Sequence, residues 1–152
     1  MCPSNADPAP SFRRAVPEDL SAIFEIRYAV TENMLSDRSK VTPQMCLDYM
    51  DRLGRGWVCE RGGQIVGFSY AAKADGSIWA LFVRPGHEGH GVGQELLRLA
   101  VDWLFGIGKT ELRLSTTVQT RAERFYLAQG WERREKNGES EVWFRLRSPS
   151  AD

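Results

Sequence analysis

This chain has few residues that could cross-link it or hold a metal: its 152 residues include three cysteines and two histidines. Cys2, Cys46 and Cys59 are odd in number and form no C-x-x-C pair, so they read as free thiols of a reducing, cytoplasmic compartment. His87 and His90 have no further ligands at suitable spacing, and no metal site is expected. No apolar run approaches the length of a membrane span. The first ten residues, MCPSNADPAP, are expected to be a disordered lead-in rather than a signal peptide or an anchor. Neither sign of charge is in excess, because 20 Lys and Arg balance 20 Asp and Glu. That balance gives no electrostatic case for nucleic acid or an anionic membrane as partner. There is no internal repeat.

What remains is enough chain for one domain with a core of its own, expected over 11–147 and followed by a short tail at 148–152. Ser11 to Val16 reads as a first strand. Pro17 then fits the first turn of a helix, with Asp19 suited to its dipole. The apolar stripe of this helix is Leu20, Ile23, Phe24, Arg27 and Val30. Arg27 on that stripe needs either a structural partner or a role toward a ligand. Tyr28, Glu32 and Asn33 fall near the helix end, where polar side chains can face a cleft. Thr42 and Pro43 start a second helix with Cys46, Tyr49, Met50 and Leu53 on its buried side, and Gly54 is expected to end it as a left-handed cap. Cys46 at that spacing reads as a small core hydrophobe.

Three strands follow, Trp57 to Glu60, Gln64 to Lys73 and Ser77 to Val83, joined by turns at Arg61-Gly62-Gly63 and Ala74-Asp75-Gly76. This meander runs into a glycine-rich stretch, Pro85-Gly86-His87-Glu88-Gly89-His90-Gly91-Val92-Gly93, and then into an amphipathic helix. Val92, Leu96, Leu99, Ala100, Trp103 and Leu104 recur at helical spacing. Glycines at this density let backbone N–H groups converge at a helix N-terminus, which suits an anion such as a pyrophosphate. After Gly106 and Gly108 come a strand from Glu111 to Ser115 and a helix opened by Thr120-Arg121-Ala122-Glu123, a capping-box pattern. Gly130 stops that helix. A closing hairpin then joins Trp131–Lys136 to Val142–Arg147 through Asn137-Gly138. The order is β-α-α-β-β-β-α-β-α-β-β, an α/β (α+β) fold with a mixed, mostly antiparallel sheet of six to seven strands and about four helices.

The glycine stretch is not a P-loop, because no Gly-Lys-Ser/Thr follows it. Nor is it a dinucleotide fingerprint: counting from Gly89 and Gly91, the third glycine position is Gln94. It resembles motif A of the GNAT superfamily of acyl-CoA-dependent N-acetyltransferases, V-x-P-x-x-[Q/R]-x-x-G-x-[G/A], with Val83, Pro85, Gly91 and Gly93 in place. Gln119 to Trp131 is similar to motif B, N-x-x-A-x-x-F-Y-x-x-x-G-[F/W], through Ala122, Phe125, Tyr126, Gly130 and Trp131. Two positions depart from the pattern. Glu88 stands where the family has Gln or Arg, and Gln119 where it has Asn.

The resemblance implies acetyl-CoA as co-substrate, lying between the strand ending at Val83 and the strand ending near Ser115. Backbone groups of Phe82 and Val83 would hold the pantetheine and polarise the thioester. Amides of Glu88, Gly89, His90, Gly91, Val92 and Gly93 would hold the pyrophosphate. Gln119 would bond the pantetheine or help start its helix. His87 and His90 would either contact phosphate or lie exposed in the loop. Tyr126 would protonate the departing thiolate, against the plainer reading of a ring packed beside Phe125. An alkyl amine is charged at neutral pH and must lose a proton to attack. The third meander strand, Ser77 to Val83, holds no carboxylate or histidine. The base would then be Glu32, Tyr28 or a water relay, with Glu32 as a solvated helix residue the alternative. Tyr28, Glu32, Asn33 and Trp79 are the candidates for contact with the acceptor, a small-molecule or peptide amine; Trp79, Trp57, Tyr28 and Tyr70 would line an aromatic pocket there, against the plainer reading that most of them are core residues. The exposed strands of the last hairpin or the meander edge invite a homodimer. A non-catalytic acyl-CoA-binding module is the alternative to an enzyme.

Overall fold

The computed structural model describes residues 9–31, 42–117, 121–137 and 141–148. One seven-stranded sheet runs in the order β1-β2-β3-β4-β5-β7-β6. Its strands are β1 (Ser11–Arg14), β2 (Gly54–Arg61), β3 (Gln64–Ala72), β4 (Ser77–Val83), β5 (Glu111–Thr117), β6 (Glu132–Asn137) and β7 (Glu141–Arg147). The helices are α1 (Leu20–Thr31), α2 (Pro43–Met50), α3 (Val92–Gly106) and α4 (Arg121–Ala128). Every neighbouring pair is antiparallel except β4 and β5. Element order and sheet type are those expected from the sequence.

The two faces of the sheet bury two separate cores. On one, α3 lies across β2, β3 and β4, and α4 packs on β5. Val92, Leu96, Ala100 and Leu104 of α3 meet Val66, Leu112, Leu114 and Phe144 of the strands. Each large side chain so buried contributes about 1.5–3 kcal/mol. Gly67 makes the approach possible, because a Cβ there would stand 3.0 Å from both Leu96 Cδ1 and Val92 Cγ1. The buried Ser69 hydroxyl donates to Leu96 O at 3.1 Å, which ties the same helix to β3. On the other face, α1 and α2 cover β2 to β4 with Ile23, Ile26, Cys46 and Met50 against Val58, Phe68 and Tyr70.

Local signals account for most element ends. Thr42 Oγ1 accepts from Met45 N at 3.1 Å, with Pro43 opening α2. Gly62 and Gly63 turn the β2–β3 hairpin at φ 58° and 79°. Asp19 does more than favour a helix dipole: its buried carboxylate accepts from Val16 N at 2.9 Å and takes a two-pronged bond from Arg13 at 2.8 and 2.9 Å. That arrangement locks β1 to the start of α1.

Gly54 departs from expectation. It does not cap α2, which ends at Met50, but begins β2 opposite Ala72. The reason is proximity: a Cβ at Gly54 would lie 1.8 Å from Ala71 O. The Thr120 cap and the 138–140 turn lie outside the described residues.

Candidate functional site

Three features meet at the end of β4. The first is a gap in the sheet. β4 and β5 are joined by the single residue pair Ser77–Arg113 and by Arg113 N donating to Gly76 O at 3.1 Å. Beyond it, no further pairing joins them among the described residues. On its other side β4 is held by β3 through Gly67–Val83, Phe68–Phe82 and Ser69–Leu81, and Arg84 N donates to Val66 O. Antiparallel residues alternate in the strand they bond. Arg84 and Phe82 therefore direct their backbone to β3, while Val83 and Leu81 direct theirs to the gap.

The second feature is the N-terminus of α3. Gly86, Gly89 and Gly91 hold φ of 95°, 81° and 80°, a conformation that side chains disfavour. Gly91 is the N-cap residue, and no side chain caps the helix. The N–H groups of its first turn and its dipole thus face the space beside Val83. The root of the loop is clamped by Arg84, which donates to Ile65 O at 3.1 Å and pairs with Glu25 at 2.7 Å. Sequence reasoning missed this clamp, since nothing local links Arg84 to a helix far upstream.

The third feature is α4. A Cβ at Gly93 would stand 3.5 Å from Val83 Cγ2 and 3.8 Å from Phe125 Cζ, so strand, loop and α4 share one corner. Tyr126, one residue on, packs among Phe125, Trp131 and Phe144 at ring distances of 5.2, 6.0 and 5.9 Å. It is 7% exposed, and burial alone raises its phenol pKa. The phenol therefore stays protonated at neutral pH.

Glu88 folds back on its own loop. Its Oε1 accepts from Gly86 N at 2.9 Å, which engages the carboxylate at the start of the loop. His87 is half-buried and its Nδ1 lies 3.1 Å from an Arg61 guanidinium nitrogen, whereas His90 is exposed. Gly89 and Gly91 are exposed and Val92 is buried under the loop.

On the α1 side, the Phe82 ring lies under the Arg27 guanidinium at 5.2 Å and beside Phe68 at 5.3 Å. Trp79 is the extra residue of a bulge in β4, since Tyr70 pairs with Ala80 and Ala71 with Ile78. The bulge resets the alternation and places both Trp79 and Ala80 toward α1 and α2. There Trp79 stacks on Tyr49 at 4.4 Å and meets Tyr70 edge-on at 5.4 Å. Trp57 lies on the opposite face, against Trp103, so it shares no pocket with Trp79. Glu32, Asn33 and Gln119 lie outside the described residues, as does the side chain of Tyr28. No cluster of three potential metal ligands occurs among the described residues.

Comparison with known proteins agrees with this geometry. Residues 19–131 match the model of a family described as acetyltransferase (GNAT) family. Comparison with curated proteins by sequence returns no significant match. Among solved structures, the PaiA N-acetyltransferase of Thermoplasma acidophilum in complex with coenzyme A aligns at 18% identity and TM-score 0.81, covering 92% of this chain and 99% of that one. The yncA protein of Salmonella typhimurium with its cofactor acetyl-CoA aligns at 20% identity and TM-score 0.78, covering 95% and 97%. A ribosomal-protein-alanine N-acetyltransferase of Brucella melitensis aligns at 18% identity and TM-score 0.76, covering 91% and 99%. At these identities the likeness is one of fold.

Proposed function

The chain belongs to the GNAT acetyltransferase family, and on that premise we propose that it transfers an acetyl group from acetyl-CoA to a primary amine of a small molecule or peptide. The parting of β4 from β5 beside the uncapped start of α3 carries this reading. Acetyl-CoA supplies a thioester whose C–S bond breaks as the amine nitrogen bonds the carbonyl carbon, with coenzyme A leaving as the thiol.

The chain's own groups divide the work. Amides from Glu88 to Gly93 take the pyrophosphate, and the open space above Gly89 and Gly91, where a Cβ would meet nothing within 4 Å, accommodates it. Gap-facing backbone of Val83 and Leu81 orients the pantetheine and polarises the carbonyl, with Phe82 fixing the strand from its other edge. Tyr126 hydrogen-bonds the leaving sulfur and shares its proton with it without itself ionising, since burial keeps the phenol a neutral donor. The amine proton passes to Glu32 or to water. Trp79, Tyr28 and Asn33 line the acceptor end, and Gln119 assists the pantetheine. The domain is 11–147, it needs no metal, and the buried thiols of Cys46 and Cys59 suit the cytoplasm.

The test is release of free thiol from acetyl-CoA with a panel of alkyl amines, amino acids and peptides. Turnover with at least one amine supports transfer. Thermal stabilisation by acetyl-CoA without turnover on any amine would instead make the chain an acyl-CoA-binding module, a reading favoured by the lack of a carboxylate on β4.

A further inference from the structure

On the side of the sheet that carries α1 and α2, those helices cover β2 to β4 and leave β5, β7 and β6 without a packed helix among the described residues. Leu112, Leu114, Val142 and Phe144 point into the core under α3 and α4. Alternation therefore turns Arg113, Ser115, Trp143 and Arg145 to the uncovered side. A shallow cavity of about 300 Å³ lies there, lined by Glu111, Arg113, Arg134, Trp143, Phe144 and Arg145.

Register places Arg113 directly opposite Arg145, and like charges so placed destabilise a strand pair. Arg145 is relieved by Glu132 at 2.5 Å and Glu111 at 3.8 Å. Arg113 instead lies over the Trp143 ring at 4.5 Å. Neither Arg113 nor Arg134 forms an ion pair within 4 Å among the described residues, although Arg134 acts on Glu132 from farther off. A guanidinium stacked on an aromatic ring keeps its in-plane N–H donors for an anion. Arg147, which shares Glu111 at 3.7 Å, extends the row. From Trp143 to Arg147 the strand runs roughly 13 Å, more than one carboxylate can bridge. Among the described side chains of this face, Arg113, Arg134, Arg145 and Arg147 outnumber Glu111 and Glu132, so these side chains carry an excess of positive charge.

We propose that this face docks an acidic peptide segment, whose carboxylates are taken by Arg113 and Arg134 and whose apolar parts lie on Trp143. Ser115 of β5 and Trp143 opposite it on β7 lie beyond the junction of β5 with β4, so the surface runs to the open part of the gap. A peptide on it has its terminal amine beside the proposed reaction centre. That it is the acceptor rests on the acetyl-transfer reading; the docking does not. Nucleic acid fits less well, because evenly spaced phosphates would meet Glu111 and Glu132.

Fluorescence anisotropy of a C-terminally labelled Glu-Gly repeat peptide tests it, beside the same peptide with Gln for Glu and a single-stranded RNA oligonucleotide. The full chain should bind the acidic peptide, and Arg113→Ala with Arg134→Ala should weaken binding about tenfold, as should raised salt. Thermal stabilisation by acetyl-CoA should not change in that variant. Equal binding of the Gln peptide, equal binding by the variant, or displacement of the peptide by RNA would overturn the proposal. Acetylation of the acidic peptide at a lower KM than its Gln counterpart would identify it as acceptor. If acetyl-CoA produces neither stabilisation nor thiol release, acetyl transfer fails while the anisotropy still decides docking.

Discussion

The Tyr126 ring is fixed by Phe125, Trp131 and Phe144, and only its hydroxyl distinguishes it from a phenylalanine in that place. Tyr126→Phe keeps the packing and removes the proton. We expect thiol release at neutral pH to slow about 100-fold, with little change in KM for acetyl-CoA or in Tm. A variant as fast as the wild type would remove Tyr126 from the reaction and leave it a core residue. Glu88 works in the opposite direction. Its carboxylate holds Gly86 N at 2.9 Å, but its charge still stands in a loop meant for an anion. Glu88→Gln retains an acceptor for that N–H and deletes the charge, so KM for acetyl-CoA should fall about twofold to fivefold, and most at low salt. A higher KM would show that the ionised carboxylate itself shapes the loop.

Elements show which physical signals are local. The β2–β3 turn was legible because Gly62-Gly63 adopts positive φ, and α2 because Thr42-Pro43 supplies a cap and a fixed φ. Gly54 was misread because a glycine needed for left-handed backbone and one needed for close approach look alike in a sequence. The two kinds respond differently to a methyl group. Gly54→Ala would force a Cβ to 1.8 Å from Ala71 O, parting β2 from β3. It should cost about 3 kcal/mol or more and lower Tm by about 10 °C. Gly63→Ala, with φ 79° and nothing within 4 Å of its Cβ, should cost only about 1–2 kcal/mol. Equal losses would contradict the close-packing account. The Trp79 bulge was hidden for another reason. Ser77-Ile78-Trp79-Ala80-Leu81-Phe82-Val83 is apolar toward both faces, so no alternation marks where one residue is added. The motifs pointed to the corner shared by Val83, Gly93 and Phe125, but the uncovered arginine face depends on which strands the helices leave bare. No stretch of sequence states that.

In the whole molecule, the groups whose ionisation differs between folded and unfolded chain set the pH range of stability. Asp19 is held below the usual carboxylate range, chiefly by its hydrogen bonds from Arg13 and against the effect of burial. The unfolded chain binds that proton more readily, so stability is lost as pH falls below about 4. At the alkaline end the shifts are upward. Burial pushes the Cys59 thiol to about 11, and it also raises Cys46, Tyr70 and Tyr126. Free thiols ionise near 8.5 and tyrosines near 10 in the unfolded chain. Above those values the folded state holds more protons than the unfolded one, so stability falls with rising pH. Urea midpoints measured from pH 3 to pH 11 should therefore form a plateau between about 5 and 8 and decline on both sides. Cys59→Ala would lower the plateau by removing packed volume, yet flatten the decline between about 8.5 and 11, because one of the groups that opposes ionisation is gone. Midpoints that stay level above pH 9 in the wild type would show that these thiols and phenols ionise as freely in the fold as outside it.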